Sequence, residues 1–292
     1  MKFKKNIIVE IKGGFGNQVF QYMFANKLRN DGFKVKVNTR FYDQFKPNEK
    51  AENTYRSLVL PPKYFDFKNI SYLFYKFLIL NNRISNSRKL KRVLKNFRNP
   101  LYVHIKDKNY NYENPKKFIN HFDGYWQNID FLVNEKDYLI RSLSNNKIIK
   151  NSINVKTNKN SAMLLVRRGD YLKMNEELSL KFYEDCLKYL NSEIKNLELN
   201  IFTDDVDWVK NQNIFSIAKN IYGPEEEPKK VIELFALMLN HLHFVITNST
   251  FSLIAAIISE EEDSKVLVAD PWFRNRYYGN LLRDNWVKIE NK

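Results

Sequence analysis

Leu164-Leu165-Val166-Arg167-Arg168-Gly169-Asp170-Tyr171 is an apolar run that ends abruptly in two arginines, a glycine and a carboxylate. The run reads as a buried strand and its charged end as a site. In open α/β sheets, ligands bind beyond the carboxyl ends of parallel strands, where loops converge and backbone is free to approach. Two guanidiniums placed there suit a diphosphate, because each offers a planar fork of donors with a permanent charge. The competing reading is a surface ion-pair cluster in which an arginine simply meets Asp170.

Outward from this strand, the pattern of alternating elements continues through the C-terminal half. The strand at 162–166 is followed by a helix over 179–197, a strand at 199–203 and a helix over 228–239. A strand at 243–247, a helix over 249–259 and a strand at 266–268 complete it. Such alternation predicts a parallel sheet with helices on both faces. Two more strand ends carry polar residues. Thr203-Asp204-Asp205 could accept hydrogen bonds from a base or ribose, hold Mg²⁺ through paired carboxylates, or cap the next helix. Thr247-Asn248-Ser249-Thr250-Phe251 joins a strand to a helix, where unpaired N–H groups and two hydroxyls could cradle phosphate or serve as an ordinary cap.

Toward the N-terminus, 6–11 reads as a strand, Lys12-Gly13-Gly14-Phe15-Gly16-Asn17 as a glycine-rich turn, 18–29 as a helix and 33–37 as a second strand. This is a βαβ unit, but not a dinucleotide fingerprint: the third glycine falls at the wrong spacing and no acidic residue closes the second strand. Asn17, Gln18 and Gln21 instead place neutral amides at the helix start, able to read hydroxyls and phosphate oxygens. Between the two halves, 83–98 reads as a basic helix, either a solvated cover for the core or a lipid-facing or acceptor-facing surface. His121-Phe122-Asp123-Gly124-Tyr125-Trp126-Gln127 is dense in aromatics that could stack on a sugar or fill a core. The polar segment 145–160 reads as an interdomain linker or a frayed helix. The expected architecture is two Rossmann-like lobes, 1–150 and 151–292, with a cleft between them.

Composition bounds the partners. A formal charge of +15 over 292 residues attracts anions, whether nucleic acid, an anionic membrane surface or a phosphorylated substrate. The basic residues are spread along the chain without a nucleic-acid motif, which disfavours the first of these. Cys186 is the one cysteine, so no internal disulfide forms, and a reducing, cytoplasmic setting is expected. The basic N-terminus leads into Ile7-Ile8-Val9, broken at once by Glu10, which is no signal-peptide core. The apolar run 70–80 contains Lys76 and is shorter than the roughly 20 residues a membrane helix needs. A soluble or peripheral protein is expected. The four histidines, His104, His121, His241 and His243, have no metal-binding spacing.

Five motifs in order carry a resemblance: Gly13 to Tyr22, Gly124-Tyr125-Trp126-Gln127, Val166 to Tyr171, Thr203-Asp204-Asp205 and Asn248-Ser249-Thr250-Phe251-Ser252. Together they resemble the α-1,2-fucosyltransferases of glycosyltransferase family 11, across almost the whole chain. The resemblance implies an α/β fold of the GT-B type, GDP-fucose as donor, inversion at the anomeric carbon, and no metal or other cofactor. Fucose would go to the 2-hydroxyl of a terminal β-galactoside, in a surface glycan or lipopolysaccharide built at the inner face of the membrane. By the same resemblance Arg167 would hold the diphosphate, Asp204 or Asp205 the guanine edge, and Asn248, Ser249, Thr250 and Phe251 with Gly14 and Gly16 the rest of the donor. Asn17 would lie near the reacting centre, and Asp123, Tyr125 and Trp126 on the acceptor side. The sequence departs from the family at Leu165, where a histidine is usual, and at Leu253-Ile254, where an aromatic pair is usual. An acidic residue usual ahead of His243 falls at Leu234, beside Glu233.

Cleaving a sugar–phosphate bond builds negative charge on the departing diphosphate, and a fixed cation in a dry cleft stabilises that charge. Arg167 is the residue expected to do so, with Arg168 and Asp170 as scaffolding. The acceptor hydroxyl must lose a proton, for which Glu10, Asp123, Asp170, Glu176 and Glu177 are candidate bases. A dissociative route in which phosphate takes the proton is the alternative.

Overall fold

A computed structural model describes residues 5–44, 57–86, 102–107, 115, 117–155, 158–223 and 228–291. The described residues form two lobes, each built on a wholly parallel sheet, so the GT-B arrangement expected from the sequence is the one adopted.

The first lobe carries β1 (Asn6–Glu10), β2 (Lys34–Asn38), β3 (Tyr102–Lys106) and β4 (Ile119–Asp123) in the order β2-β1-β4-β3. Ile7, Ile8 and Val9 are all buried, as in a strand covered on both faces. Helix α1 (Phe15–Asn30) covers one face, and α2 (Tyr72–Asn86) the other, through a small cluster of Ile8, Ile70, Leu78 and Tyr102. The expected basic helix at 83–98 lies largely outside the described residues, and its first turn is the end of α2. Tyr72, Leu73, Phe77 and Leu80 of α2 stand exposed. Among the described residues no helix is long and apolar enough to cross a membrane.

Short helices α3 (Asp130–Val133), α4 (Lys136–Leu143) and α5 (Lys147–Ile153) lead out of the lobe. Asn146 caps α5 by accepting from the amides of Ile148 and Ile149, and Ile149 is buried. Within the segment 145–160, the described residues form a capped helix and the start of a strand. The division at 150/151 cuts that helix; the chain leaves it after Ile153 and enters the second sheet at Asn158.

The second lobe carries β5 (Asn158–Val166), β6 (Glu198–Thr203), β7 (Asn220–Tyr222), β8 (His241–Thr247), β9 (Val266–Asp270) and β10 (Val287–Glu290), in the order β10-β9-β8-β5-β6-β7. Its helices are α6 (Gly169–Met174), α7 (Leu180–Glu193), α8 (Val206–Lys210), α9 (Pro228–Met238) and α10 (Thr250–Ser259). The strand order reverses at β5, which lies between β6 and β8. In the first lobe it reverses at β1, which lies between β2 and β4. Ligand crevices of open α/β sheets form at such reversals.

The two reversals are brought together by a shared core. Phe15 of α1 packs on Phe235 and Phe251 with ring centroids 4.3 and 5.4 Å away. At the contact, a Cβ placed on Gly16 would lie 2.4 Å from the Thr250 hydroxyl and 2.7 Å from the Thr250 carbonyl carbon. Only a residue without a side chain lets the two helix starts approach so closely. Gly16→Ala should therefore force the lobes apart, lowering stability by about 1–3 kcal/mol and reducing turnover. Thermal unfolding and activity assays check this, and a Gly16→Ala variant with wild-type unfolding and turnover would remove the contact from this role.

Candidate active site

At the reversal in the second sheet, β5 ends in Arg167 and Arg168, β6 in Asp204 and Asp205, and β8 in Asn248 and Ser249. Arg167 Nη2 donates to Asp170 Oδ1 at 2.6 Å, and Nη1 lies 2.8 Å from Asp204 Oδ2. The other Asp204 oxygen accepts the backbone amide of Arg168 at 2.8 Å. Asp205 takes Arg168 Nε at 3.0 Å and the Trp208 amide at 3.1 Å, capping α8, while the Arg168 guanidinium stacks 4.0 Å above the Trp208 ring. Burial works against the Arg167 charge, but Asp204 and Asp170 outweigh it and hold the guanidinium above its ordinary range. The ion pairs of the competing reading are formed, and they stand at the reversal of the sheet.

Several donor-side candidates are committed within the protein. Asp204 and Asp205 each have both oxygens engaged by an arginine and a backbone amide, so they brace the strand ends. Asn248 is buried, and its Nδ2 donates to the Glu176 carbonyl at 2.8 Å. Phe251 lies in the core between the lobes, packed on Phe15 and Phe235. Ser249 Oγ accepts from the Phe251 amide at 3.4 Å, capping α10. Tyr171 joins two strand ends by donating to the Asn248 carbonyl at 2.9 Å, and burial pushes its hydroxyl up to about 12. Leu165 is buried in the core beside Phe202, and Leu253 and Ile254 are buried as well. Leu234 is half-buried and Glu233 exposed on α9.

Across the cleft, β1 leads into the glycine turn, where Gly13 has φ +80°, a backbone state that glycine adopts without strain. Gly14 begins α1 without any side-chain cap, and Gly16 lies against the α10 start at Thr250. Asn17 Oδ1 accepts from Gln127 Nε2 at 2.7 Å. Gln18 and Gln21 are braces rather than ligand-reading amides. Gln18 accepts from the amides of Val59 and Leu60 and donates to the carbonyls of Gly13 and Ser57, while Gln21 links the Lys12 amide to the Gly124 carbonyl. Trp126 is 1% exposed and stacks 4.5 Å from Phe24, so it is a core residue and not a sugar platform. Tyr125, 37% exposed, is the ring beside the cleft.

The histidines of the first lobe form a cluster that the sequence reading missed. In parallel register, His104 and His121 stack at 4.9 Å on one face of the sheet. His121 Nε2 lies 2.8 Å from Glu10 Oε2, which also accepts from Asn38 Nδ2 at 2.7 Å; His104 Nε2 lies 3.1 Å from Asp123 Oδ2. Lys12 Nζ reaches the other Asp123 oxygen at 2.5 Å. Burial raises the Asp123 carboxyl, but hydrogen bonds from His104 and Lys12 together outweigh it and hold it well below the usual carboxylate range. The pairing became visible only with the register, which sets His104 and His121 at facing positions of neighbouring strands.

A pocket of about 400 Å³ opens here, lined by Lys12, Lys106, Asp123 and Tyr125 from the first lobe and Tyr277 from the second. Of the five carboxylates named as bases, Asp123 lines it. Asp170 is bound to Arg167, Glu10 to His121 and Asn38, and Glu176 is buried beneath the 271–280 segment, while Glu177 lies 3.9 Å from Arg274. Among the described residues no three His, Cys, Asp or Glu side chains converge to hold a metal ion. His241 and His243 of β8 are satisfied by backbone: His241 by the Met238 carbonyl, His243 by the Lys159 carbonyl and the Lys265 amide.

Comparison with known proteins fits this geometry. The family model described as glycosyl transferase family 11 matches residues 6–290. Two curated Escherichia coli proteins are each 26% identical: an alpha-1,2-colitosyltransferase, with 97% of this chain and 99% of the relative covered, and the O-antigen biosynthesis glycosyltransferase WbnK, with 96% and 99% covered. Among solved structures, a point mutant of Arabidopsis thaliana FUT1 in complex with GDP is similar at a TM-score of 0.47 and 10% identity, over 92% of this chain and 73% of that one. With the family pattern spanning both lobes and both crevices, the chain belongs to glycosyl transferase family 11.

Proposed function

We propose that the chain moves L-fucose from GDP-fucose to the 2-hydroxyl of a terminal β-galactoside, with inversion and without a metal, during assembly of a surface glycan. The observation that carries this reading is the pairing of two crevices across Gly16: a braced arginine beside a hydroxyl-capped helix start on one side, and on the other an uncapped helix start and a pocket with a carboxylate and two tyrosines. The first feature suits a diphosphate, which gains charge as the sugar leaves. The second suits a sugar, whose apolar face stacks on rings while its hydroxyls meet a carboxylate.

In this reaction the bond from the anomeric carbon to phosphate oxygen breaks and a bond to the acceptor 2-oxygen forms. The electron pair goes to GDP. Arg167 is held rigid by Asp170 and Asp204, so it meets the developing charge without reorganising. Asp123, held ionised by Lys12 and His104, is a weak base and accepts a hydrogen bond that orients the hydroxyl. The proton then leaves late, toward phosphate or water. The colitosyl relative favours a second donor, GDP-colitose, since colitose differs from fucose by one missing hydroxyl.

Incubation of the purified chain with GDP-fucose or GDP-colitose and a β-galactoside, in excess EDTA, should yield an α-1,2-linked product by NMR. A different linkage, or a requirement for added metal, would overturn the assignment. Arg167→Ala should lower kcat on the order of 10²-fold or more, while circular dichroism stays unchanged; near-normal turnover would remove Arg167 from its role. The reading extends to work at an anionic membrane, toward which the +15 charge and the exposed Tyr72, Leu73, Phe77 and Leu80 would turn. Flotation with anionic liposomes at low salt should then recover the protein, and neutral liposomes should not.

A further inference from the structure

The segment 271–280 crosses the cleft as a strap. It leaves the second lobe after β9 with Trp272 fully buried, and ends at Leu281, 1% exposed. Its far end docks on the first lobe: the Ile129 amide donates to the Asn280 carbonyl at 2.7 Å, and Asn280 Nδ2 donates to Asp130 Oδ2 at 3.2 Å. Its near end is held by Glu176. That carboxylate is 1% exposed and accepts the Arg274 amide on Oε2 at 2.8 Å and the Asn275 amide on Oε1 at 3.0 Å. Arg276 Nε stands 3.7 Å from Oε1. The backbone around Glu176 is fixed in turn, because its carbonyl accepts from Asn248 at 2.8 Å and Arg274 Nη2 donates to the carbonyls of Asn175 and Glu177.

Between these anchors the strap presents Tyr277, 58% exposed, to the pocket lined from the other lobe by Tyr125 and Asp123. The pocket is thus completed by a side chain that reaches it only through the strap. Burying a carboxylate is costly unless it is fully hydrogen-bonded, so a carboxylate sealed under two backbone amides signals a geometry that must be held. Both oxygens are used, so no amide side chain can replace it: one arm of glutamine would be a donor facing a donor.

We propose that Glu176 is a positioning residue for the acceptor sugar: it fixes the strap so that Tyr277 closes the pocket opposite Tyr125. This rests on reading that pocket as the acceptor site. Glu176 itself touches no substrate and acts through Tyr277. The chemistry recognised is the apolar face of a pyranose held between two tyrosines from different lobes.

Kinetics with GDP-fucose and a β-galactoside test the proposal, alongside calorimetric binding of GDP. Glu176→Gln and Tyr277→Ala should each raise the acceptor KM by about tenfold or more, with GDP affinity unchanged. The Glu176→Gln/Tyr277→Ala double variant should be no worse than either single, as expected when one residue acts through the other. A wild-type acceptor KM in Tyr277→Ala, additive losses in the double variant, or a matching loss of GDP binding in Glu176→Gln would each overturn it. Hydrogen exchange reads the strap independently of turnover: Glu176→Gln should speed exchange across 271–280 and leave 167–171 unchanged, and unaltered exchange across 271–280 would overturn it. If Glu176→Gln does not fold, Tyr277→Ala alone can still overturn the proposal, through a wild-type acceptor KM. A wild-type chain that transfers nothing to any galactoside would instead count against the functional reading.

Discussion

A close approach between the lobes, Gly16 against Thr250, is the constraint on which the site depends. Each sheet reverses its strand order near its middle, and each reversal opens a crevice at the strand ends. Two such crevices make one site only if they face each other at short range. Phe15, Phe235 and Phe251 supply the apolar contact that holds them there, and the missing side chain at Gly16 sets the distance. On one side of this contact α1 starts at Gly14 with no side-chain cap, and on the other Ser249 caps α10.

The electrostatics at the second crevice follow from burial. Arg167 and Arg168 stand with three aspartates, so the local formal charge is slightly negative although the whole chain carries +15. An arginine this deep without partners would carry a large desolvation cost, and the carboxylates offset it. Their second effect is geometric. Asp204 holds the Arg167 guanidinium and the Arg168 amide at once, so the end of β5 is fixed to the end of β6. A diphosphate binding here meets donors already in place, and the excess positive charge spread over the rest of the surface governs approach more than it governs affinity.

How far the sequence could be read depended on how local each determinant is. β1, β5 and β8 were legible because strands buried on both faces are nearly continuous apolar runs. β3 and β4 were not, since Tyr102-Val103-His104-Ile105-Lys106 and Ile119-Asn120-His121-Phe122-Asp123 alternate apolar residues with the very polar groups that build the first crevice. β7 and β10 are short edge strands with weak patterns of their own. Site residues divide in the same way. Arg167 announces itself by ending an apolar run, whereas Gln18, Gln21 and Trp126 look like ligand contacts in a motif and become braces or core once their partners, many of them far along the chain, are known. Glu176 carried no local signal at all, because what defines it is a pair of amides 98 and 99 residues away.

The backbone marks the same two places independently of side-chain chemistry. Thr247, at the end of β8, has φ 54°, and Trp126, just past β4, has φ 53°. Neither is glycine, and for a β-branched threonine this region is a genuine outlier costing on the order of 1–3 kcal/mol. Such a conformation persists only where its surroundings over-determine it. At Thr247 the hydroxyl donates to the Ile246 carbonyl at 2.7 Å, and Ser252 donates to that same carbonyl at 2.6 Å. At Trp126 the amide donates to Asp107 at 3.0 Å and the ring is locked between Phe24 and Phe122. A relaxed turn at either point would carry the chain off the sheet edge in a different direction. At the first, the helix start bearing Ser249 and Thr250 would no longer meet Gly16; at the second, Asn17 would lose Gln127. The strain is therefore the local cost of aiming each strand end at the cleft, and it falls in both lobes beside the strand where the sheet reverses.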